Sequence, residues 1–249
     1  MAYANAALWS VGNGLTTGTI VYYLLLDLGA SGLKLSLILA LPALVGLLRL
    51  FAPQWIAWCG AAKRAALSAF LLSYLLLLVT PMGLLPGMIP RSQLLWLVIG
   101  VICVHQLLEY VAQVSLLSWL ADLVPLRVRG RFFARRNMWQ LAVLIPTLLG
   151  SGYFADWWRR EYHHDVQWGL LGYAIPIALG ASFLLASLIP LALMPEMRRK
   201  DWASMAAARS ISWSKLISPL RHRPFRQLLS YRAWFSLSNG ITQAAQNIF

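Results

Sequence analysis

The residues of this chain that could do chemistry lie inside its long apolar runs. His105, Glu109 and Gln113 are spaced four residues apart within residues 92–121, where no Asp, Lys or Arg occurs and Glu109 is the single Glu. This spacing places all three on one face of a helix. An ionisable group inside a bilayer is costly and usually marks a substrate or ion pathway. The pattern therefore predicts a polar pathway in which Glu109 takes up and releases a proton.

Amide and hydroxyl side chains extend the same pattern into two other runs. Asn13 has Thr17 one turn after it in the first run, and residues 239–247 carry amides at spacings of three and four. We predict a substrate or proton pathway from these residues: Asn13, Thr17, His105, Glu109, Gln113, Asn239, Gln243 and Gln246. The same side chains could instead bond to one another and hold the helices together. Both interpretations stay open.

Other kinds of chemistry have less support. No Gly-rich phosphate loop, Walker lysine or H-E-x-x-H motif occurs in the chain, which argues against a nucleotide-driven pump and a metalloprotease. His105 and Glu109 could serve as acid and base in an intramembrane enzyme, but no nucleophile or metal accompanies them. One predicted outer loop groups imidazoles and carboxylates: Glu161, His163, His164 and Asp165. No second ligand cluster supports a metal there, so we predict no enzyme, no cofactor and no metal site.

The composition requires a membrane. The 249 residues are 59% hydrophobic and 12% charged, with a mean hydropathy of +0.65, whereas soluble domains carry about 25% charged residues. A spanning helix needs about 20 apolar residues. Runs of this kind occupy residues 1–26, 35–62, 65–90, 92–121, 137–155 and 166–195, with a shorter one at 233–249. The predicted fold is an all-α membrane protein, a six-helix transmembrane bundle with a partial seventh helix.

The net charge of +13 sets the orientation of the bundle. Most basic residues fall in the loops after helices 2, 4 and 6, so the N-terminus and these loops are expected in the cytoplasm. Trp9 falls near a predicted inner end, where indole rings prefer the headgroup level. We predict a multi-pass protein of the cytoplasmic (inner) membrane, and no nucleic-acid partner is needed to explain the basic excess.

Two cytoplasmic loops carry residues that could form a gate. Pro125 limits helix 4, Gly130 allows a tight turn, and Asp122 precedes several arginines. Such a charge cluster could latch helices 4 and 5 to the 2–3 loop, or it could serve orientation alone. The predicted cytoplasmic latch consists of Gly60, Lys63, Arg64, Asp122, Arg129, Gly130 and Arg131.

Three regions follow along the chain. Residues 1–195 form the predicted N-terminal bundle, and residues 196–223 form a basic cytoplasmic linker. In the linker, apolar residues at helical spacing predict an amphipathic segment on the inner leaflet: Trp213, Leu216, Ile217 and Leu220. Residues 224–249 begin helix 7 of a second bundle.

The junction between helices 4 and 5 resembles that of bacterial members of the major facilitator superfamily. Residues 122–137 contain D-L-V-P, R-G-R and R-R-N, and residues 9–15, W-S-V-G-N-G-L, are similar to a first helix of that family. The resemblance covers nearly the whole chain. It departs in the 2–3 loop, where residues 60–64 keep a glycine and a basic pair but lack the family's aspartate.

The resemblance implies the N-terminal half of a secondary active transporter, in which helices 1, 4 and 7 line the central cavity. It implies alternating access for a small polar solute, with protons or another ion as the coupling partner. Because the seventh run is short, the chain looks like a truncated half. Its expected partners are the bilayer, the solute, H⁺ or Na⁺, and a C-terminal half or a second copy. The alternative is a non-transporting membrane scaffold or assembly subunit.

Overall fold

The computed structural model describes most of the chain as helix. It covers residues 1–16, 19–30, 52–85, 88–162, 166–196, 222–228, 230–231, 234–235 and 238. These residues are 88% helical and contain no strand. Their helices are α1 Ala2–Thr16, α2 Thr19–Asp27, α3 Ala52–Cys59, α4 Ala62–Leu77, α5 Val79–Gly83, α6 Arg91–Leu123, α7 Leu126–Glu161, α8 Val166–Ala186 and α9 Leu188–Ala192.

Four stretches are long and apolar enough to cross a membrane. They are Ala62–Gly83, Gln93–Leu123, Leu126–Glu161 and Gly169–Ala192. Even the 22-residue stretch measures about 33 Å at 1.5 Å per residue, against about 30 Å of hydrocarbon. The chain is therefore an all-helical, multi-pass membrane protein, as predicted.

The count of six helices stays a prediction. Predicted helix 1 corresponds to α1 and α2, and predicted helix 2 is described only at its end, in α3. The amphipathic segment at residues 213–220 and most of predicted helix 7 lie outside the described residues.

The structure corrects the predicted 4–5 loop. Only Val124 and Pro125 separate α6 from α7, and the arginines assigned to the loop belong to the first turns of α7. Val124 is extended, with φ −97° and ψ 122°, because a residue before proline avoids the helical region. The tight turn predicted at Gly130 is therefore wrong, since Gly130 is helical. Among the described glycines, positive φ occurs at Gly29 and at Gly60, whose φ of +70° forms the turn between α3 and α4.

Glycines allow α1 to pack closely against two neighbours. A methyl group on Gly12 would lie 2.5 Å from Leu184 Cγ and 2.7 Å from the Gly180 carbonyl on α8. A methyl group on Gly14 would lie 2.9 Å from Thr147 Cγ2 on α7. These distances are shorter than van der Waals contact, so only glycine permits this approach.

The first helix and the long helix α6 have few direct contacts. The most extensive contacts join α4 to α6, and α1 to both α7 and α8. α1 and α6 are not among the extensively packed pairs. The space between these two helices contains the candidate site.

The chain divides into two units, residues 1–200 and residues 201–249. In the second unit, residues 223–228 are helical. The rings of Tyr231 and Phe235 are stacked there, with centroids 6.5 Å apart.

Candidate functional site

Glu109 is the centre of the site. One carboxylate oxygen, Oε1, accepts a hydrogen bond of 2.9 Å from the Trp9 indole on α1. The other oxygen, Oε2, lies 3.5 Å from His105 Nε2, one turn earlier on α6. Glu109 is only 6% exposed. The buried carboxylate therefore has a donor on Oε1 and the His105 ring beside Oε2.

His105 is fixed from its other side by Ser73 on α4. The Ser73 hydroxyl donates to the His105 carbonyl at 3.0 Å, and its oxygen lies 2.7 Å from His105 Nδ1. Nδ1 is also 3.3 Å from the Ser73 carbonyl, which can only accept. The Nδ1–H tautomer satisfies all three contacts, because Nδ1–H donates to the Ser73 oxygens while the hydroxyl proton stays on the His105 carbonyl. In this tautomer the bare Nε2 faces Glu109.

This arrangement favours one shared proton. Bare Nε2 and carboxylate Oε2 are both acceptors, so a proton between them converts an unfavourable contact into an ion pair or a hydrogen bond. The 3.5 Å separation is within ion-pair range, and a shift of about 0.6–0.8 Å would make it a strong hydrogen bond. His105 and Glu109 thus form a buried histidine–carboxylate pair.

A cavity of about 370 Å³ opens between α1 and one face of α6. The lining residues share a polar or aromatic character, with apolar ones at one end: Trp9, Asn13, Gln106, Glu109, Tyr110, Gln113, Val114 and Leu117. Its volume falls at the lower end of the range for small-molecule sites, about 300–1,000 Å³. The cavity is the size of a small-solute site with a carboxylate in its wall.

The structure brings together only part of the predicted pathway. Asn13, Glu109 and Gln113 line the cavity, whereas His105 lies behind Glu109 against α4. The other predicted pathway residues are outside the described part of the chain: Thr17, Asn239, Gln243 and Gln246.

Three of the lining residues that carry polar groups were absent from the predicted pathway: Trp9, Gln106 and Tyr110. Gln106 and Tyr110 follow His105 and Glu109 by one residue, so they fall on the neighbouring stripe of the same helix. A helical face about 100° wide would have included them. Trp9 was assigned to the headgroup level, but it donates to Glu109. The position of Trp9 near a helix end did not predict this hydrogen bond.

A second buried polar cluster surrounds Arg136 on α7. Arg136 is 9% exposed, and its Nη atoms make hydrogen bonds of 3.4 Å to Asn5 and Gln140. Its Nε has no partner, and within the described ranges no carboxylate lies within 4 Å of it. Asn5 in turn donates to the Ser187 carbonyl at 2.9 Å. The sequence placed Arg136 in a cytoplasmic loop, but it lies inside the bundle because α7 starts ten residues before it.

The two buried clusters are adjacent. Tyr74 on α4 is 1% exposed. Its hydroxyl lies beside the Trp9 and Ser187 side chains, within electrostatic range of Glu109 and Arg136. Asn5 and Trp9, one turn apart on α1, thus contact the two buried charges of the bundle.

The predicted latch residues have two kinds of position. Lys63 Nζ, at the start of α4, donates to the carbonyls of Ala192 at 2.8 Å and Met194 at 2.7 Å. Arg129 donates to the carbonyls of Ala121 and Val124. Each cation thus caps a helix C-terminus, where the dipole favours positive charge. The remaining members are exposed or form the turn: Gly60, Arg64, Asp122, Gly130 and Arg131.

Arg129 therefore links helices differently from the prediction. It joins α7 to the end of α6, which precedes it in the chain, and not to the loop between α3 and α4. Lys63 joins the start of α4 to the end of α9. In the described contacts, Lys63 caps the end of α9 and Arg129 caps the end of α6.

A polar cluster joins three helices at the opposite end of the bundle. Tyr173 on α8 donates a 2.6 Å hydrogen bond to Asp27 at the end of α2. Arg159 on α7 lies 3.5 Å from Asp27 and 5.5 Å from the centre of the Tyr23 ring. These residues fall on the side predicted to face outward.

No group of three metal-ligating side chains occurs in the ranges that the structure describes. The predicted outer-loop cluster at residues 163–165 lies outside those ranges.

Comparisons of the chain with protein-family models, with curated proteins and with solved structures found no match. Its function must therefore be inferred from the chemistry of the site and from the resemblance in its sequence.

Proposed function

We propose that the chain is one half of a secondary active transporter that moves a small polar solute by alternating access, coupled to protons. The observation that carries this proposal is the position of Glu109, a buried carboxylate on a membrane-spanning helix, α6, in the wall of a polar cavity that α1 also lines. Intramembrane carboxylates in such positions usually serve transport of ions or substrates. The resemblance of residues 9–15 and 122–137 to the major facilitator superfamily supports the same function.

In this mechanism the His105–Glu109 pair binds the coupling proton. Without that proton, the carboxylate accepts a charge-assisted hydrogen bond from Trp9, which is about twice as strong as a neutral one. Protonation of the pair removes the negative charge and weakens the link between α1 and α6. A proton and a solute in the cavity would thus favour a conformation in which α1 and α6 are separated differently. Alternating access needs ligands that bind one conformation more tightly than the other.

The cavity needs a second wall. In the first unit, α1 and α6 line one side of the cavity. In the major facilitator superfamily, which the sequence resembles, helices of a second bundle line the opposite side. We therefore propose a C-terminal half, or a second copy of this chain, as the partner across the cavity. We place the protein in the cytoplasmic membrane with its N-terminus inside, because the basic residues are concentrated on that side.

The test is proton movement driven by solute. Protein expressed from its complete open reading frame is reconstituted into liposomes that contain a pH-sensitive dye. Solutes of different classes (neutral sugars, amino acids, organic acids and amines) are then added singly. We expect one class to acidify or alkalinise the lumen. Glu109→Gln should abolish the proton signal while solute exchange continues.

The matched control is Glu161→Gln, which removes an exposed carboxylate at the end of α7 and should leave proton movement unchanged. If no class of solute moves protons above the level of protein-free liposomes, the proposal is wrong. Recovery of a stable complex with another protein, without transport, would support the scaffold alternative.

A further inference from the structure

We infer that the cavity between α1 and α6 binds an uncharged solute rich in hydroxyl groups, of the size of a monosaccharide or cyclic polyol. This inference rests on the proposed transport function and adds the class of substrate. It follows from three properties of the lining: its charge, its hydrogen-bonding groups and their spacing.

The first property is the absence of available charge. Within the described part of the chain, no Lys, Arg or His lines the cavity, so an anionic solute would lose its hydration without gaining a cationic partner. Among the described lining residues Glu109 is the charged one, and Trp9 donates to its Oε1. When the His105–Glu109 pair holds the coupling proton, Oε2 is bonded to His105 and the pair has no net charge to attract a cationic solute. The wall therefore favours a neutral solute.

The second property is the type of hydrogen-bonding group. Gln106 and Gln113 present amides to the cavity, and Asn13 adds a third from the opposite helix. An amide both donates and accepts, and so does a hydroxyl group. Binding sites reject analogues that leave buried polar groups unpaired. A solute with several hydroxyls is the neutral class that satisfies several amides at once.

The third property is spacing. Gln106 and Gln113 are seven residues apart on α6, about 10 Å along the helix axis, so polar contacts are spread along the cavity. The Trp9 ring and the Val114 and Leu117 side chains add apolar surface beside them. A ring with hydroxyls on its edge and C–H groups on its faces can meet both the amides and the apolar surface. A solute with one polar head would contact only one of the two glutamine amides.

The experiment compares probes that share one ring and differ in charge. Glucose, glucosamine, glucuronate and glucose 6-phosphate, with myo-inositol as a second neutral ring, are titrated onto the detergent-solubilised protein by calorimetry. We expect glucose or myo-inositol to bind, and all three charged probes to bind at least about tenfold more weakly.

Variants locate the binding to the cavity. Gln106→Ala and Gln113→Ala should each weaken the neutral probe by about threefold to tenfold, the effect of losing one hydrogen bond. Gln113→Glu should shift the preference toward glucosamine. Gln93→Ala removes an exposed amide from the start of the same helix and should have no effect. Size-exclusion profiles and thermal unfolding of each variant identify misfolded protein.

Two outcomes overturn the inference. If a charged probe binds more tightly than the neutral ones, or if no sugar or polyol binds to well-folded protein, the solute class is wrong. Either result leaves the transport proposal intact as long as an amino acid, amine or organic acid moves protons through Glu109 in liposomes. The absence of both sugar binding and proton movement by every class contradicts both proposals.

Discussion

The Trp9 indole on α1 donates a 2.9 Å hydrogen bond to Glu109 on α6, and it joins two helices that are not otherwise extensively packed. The rest of α1 is held by α7 and α8, while α6 packs on α4. The bond therefore connects two parts of the bundle across a cavity. A single polar contact in such a position can be broken without repacking either part.

Trp9→Phe tests this link. The substitution keeps an aromatic ring and removes the indole N–H, so Glu109 loses its donor on Oε1. We expect the free energy of unfolding to fall by about 1.5–3 kcal/mol, since hydrogen bonds to charged groups contribute about that much. Thermal or denaturant unfolding in detergent measures the change. Trp139→Phe, at an exposed position of α7, serves as the control, and equal stability of both variants would contradict the role of the bond.

Ser73→Ala tests the tautomer of His105. The serine hydroxyl oxygen, at 2.7 Å, is the closer of the two acceptors that keep the ring proton on Nδ1, the other being the Ser73 carbonyl at 3.3 Å. Without it, we expect both neutral tautomers, because Nε2–H can then donate to Glu109. Nitrogen-15 NMR of labelled histidine distinguishes the tautomers, and His105→Gln identifies the signal. Ser68→Ala changes an exposed serine of the same helix. An Nε2–H tautomer already present in the unsubstituted protein would contradict the proton placement.

Lys63→Ala tests the cap on α9. Lys63 donates to two terminal carbonyls, those of Ala192 and Met194, which otherwise have fewer partners at the helix end. We expect a loss of about 1 kcal/mol and faster amide hydrogen exchange near the end of α9. Arg64→Ala removes the neighbouring, exposed cation. Equal exchange rates in the two variants would show that the cap has no effect on this end of the bundle.

Particular residues show how far the sequence determines the fold and the site. The membrane helices are predictable from apolar runs of about 20 residues. Such a run can be recognised from its hydropathy alone, without knowing which helices pack against it. The burial of Glu109 was predictable in the same way, because a carboxylate inside such a run is costly unless it faces protein or a water-filled cavity. The partner of Glu109 was not, because the bond from Trp9 spans 100 residues of sequence and depends on how α1 and α6 are placed.

The 4–5 junction shows the opposite case. The concentration of arginines predicted a loop here. The backbone preferences of the residues after Pro125 favour a helix instead. The helix formed because arginine, phenylalanine and alanine tolerate helical geometry and one exposed glycine costs only about 1 kcal/mol. Counting charges could not separate Arg135, which is exposed, from Arg136, which is buried. That difference depends on the rotation of α7 about its axis.

Arg136→Met tests the consequence of that burial. Among the described residues the guanidinium has long hydrogen bonds to two amides and no carboxylate within 4 Å, so its desolvation is poorly offset. Methionine fills a similar volume without charge. We expect the free energy of unfolding to rise by about 1 kcal/mol or more, as when other buried ionic groups are replaced by apolar ones. Arg135→Met on the exposed side should change it little. Marked destabilisation by Arg136→Met alone would mean that the bonds to Asn5 and Gln140 outweigh the cost of burying the charge.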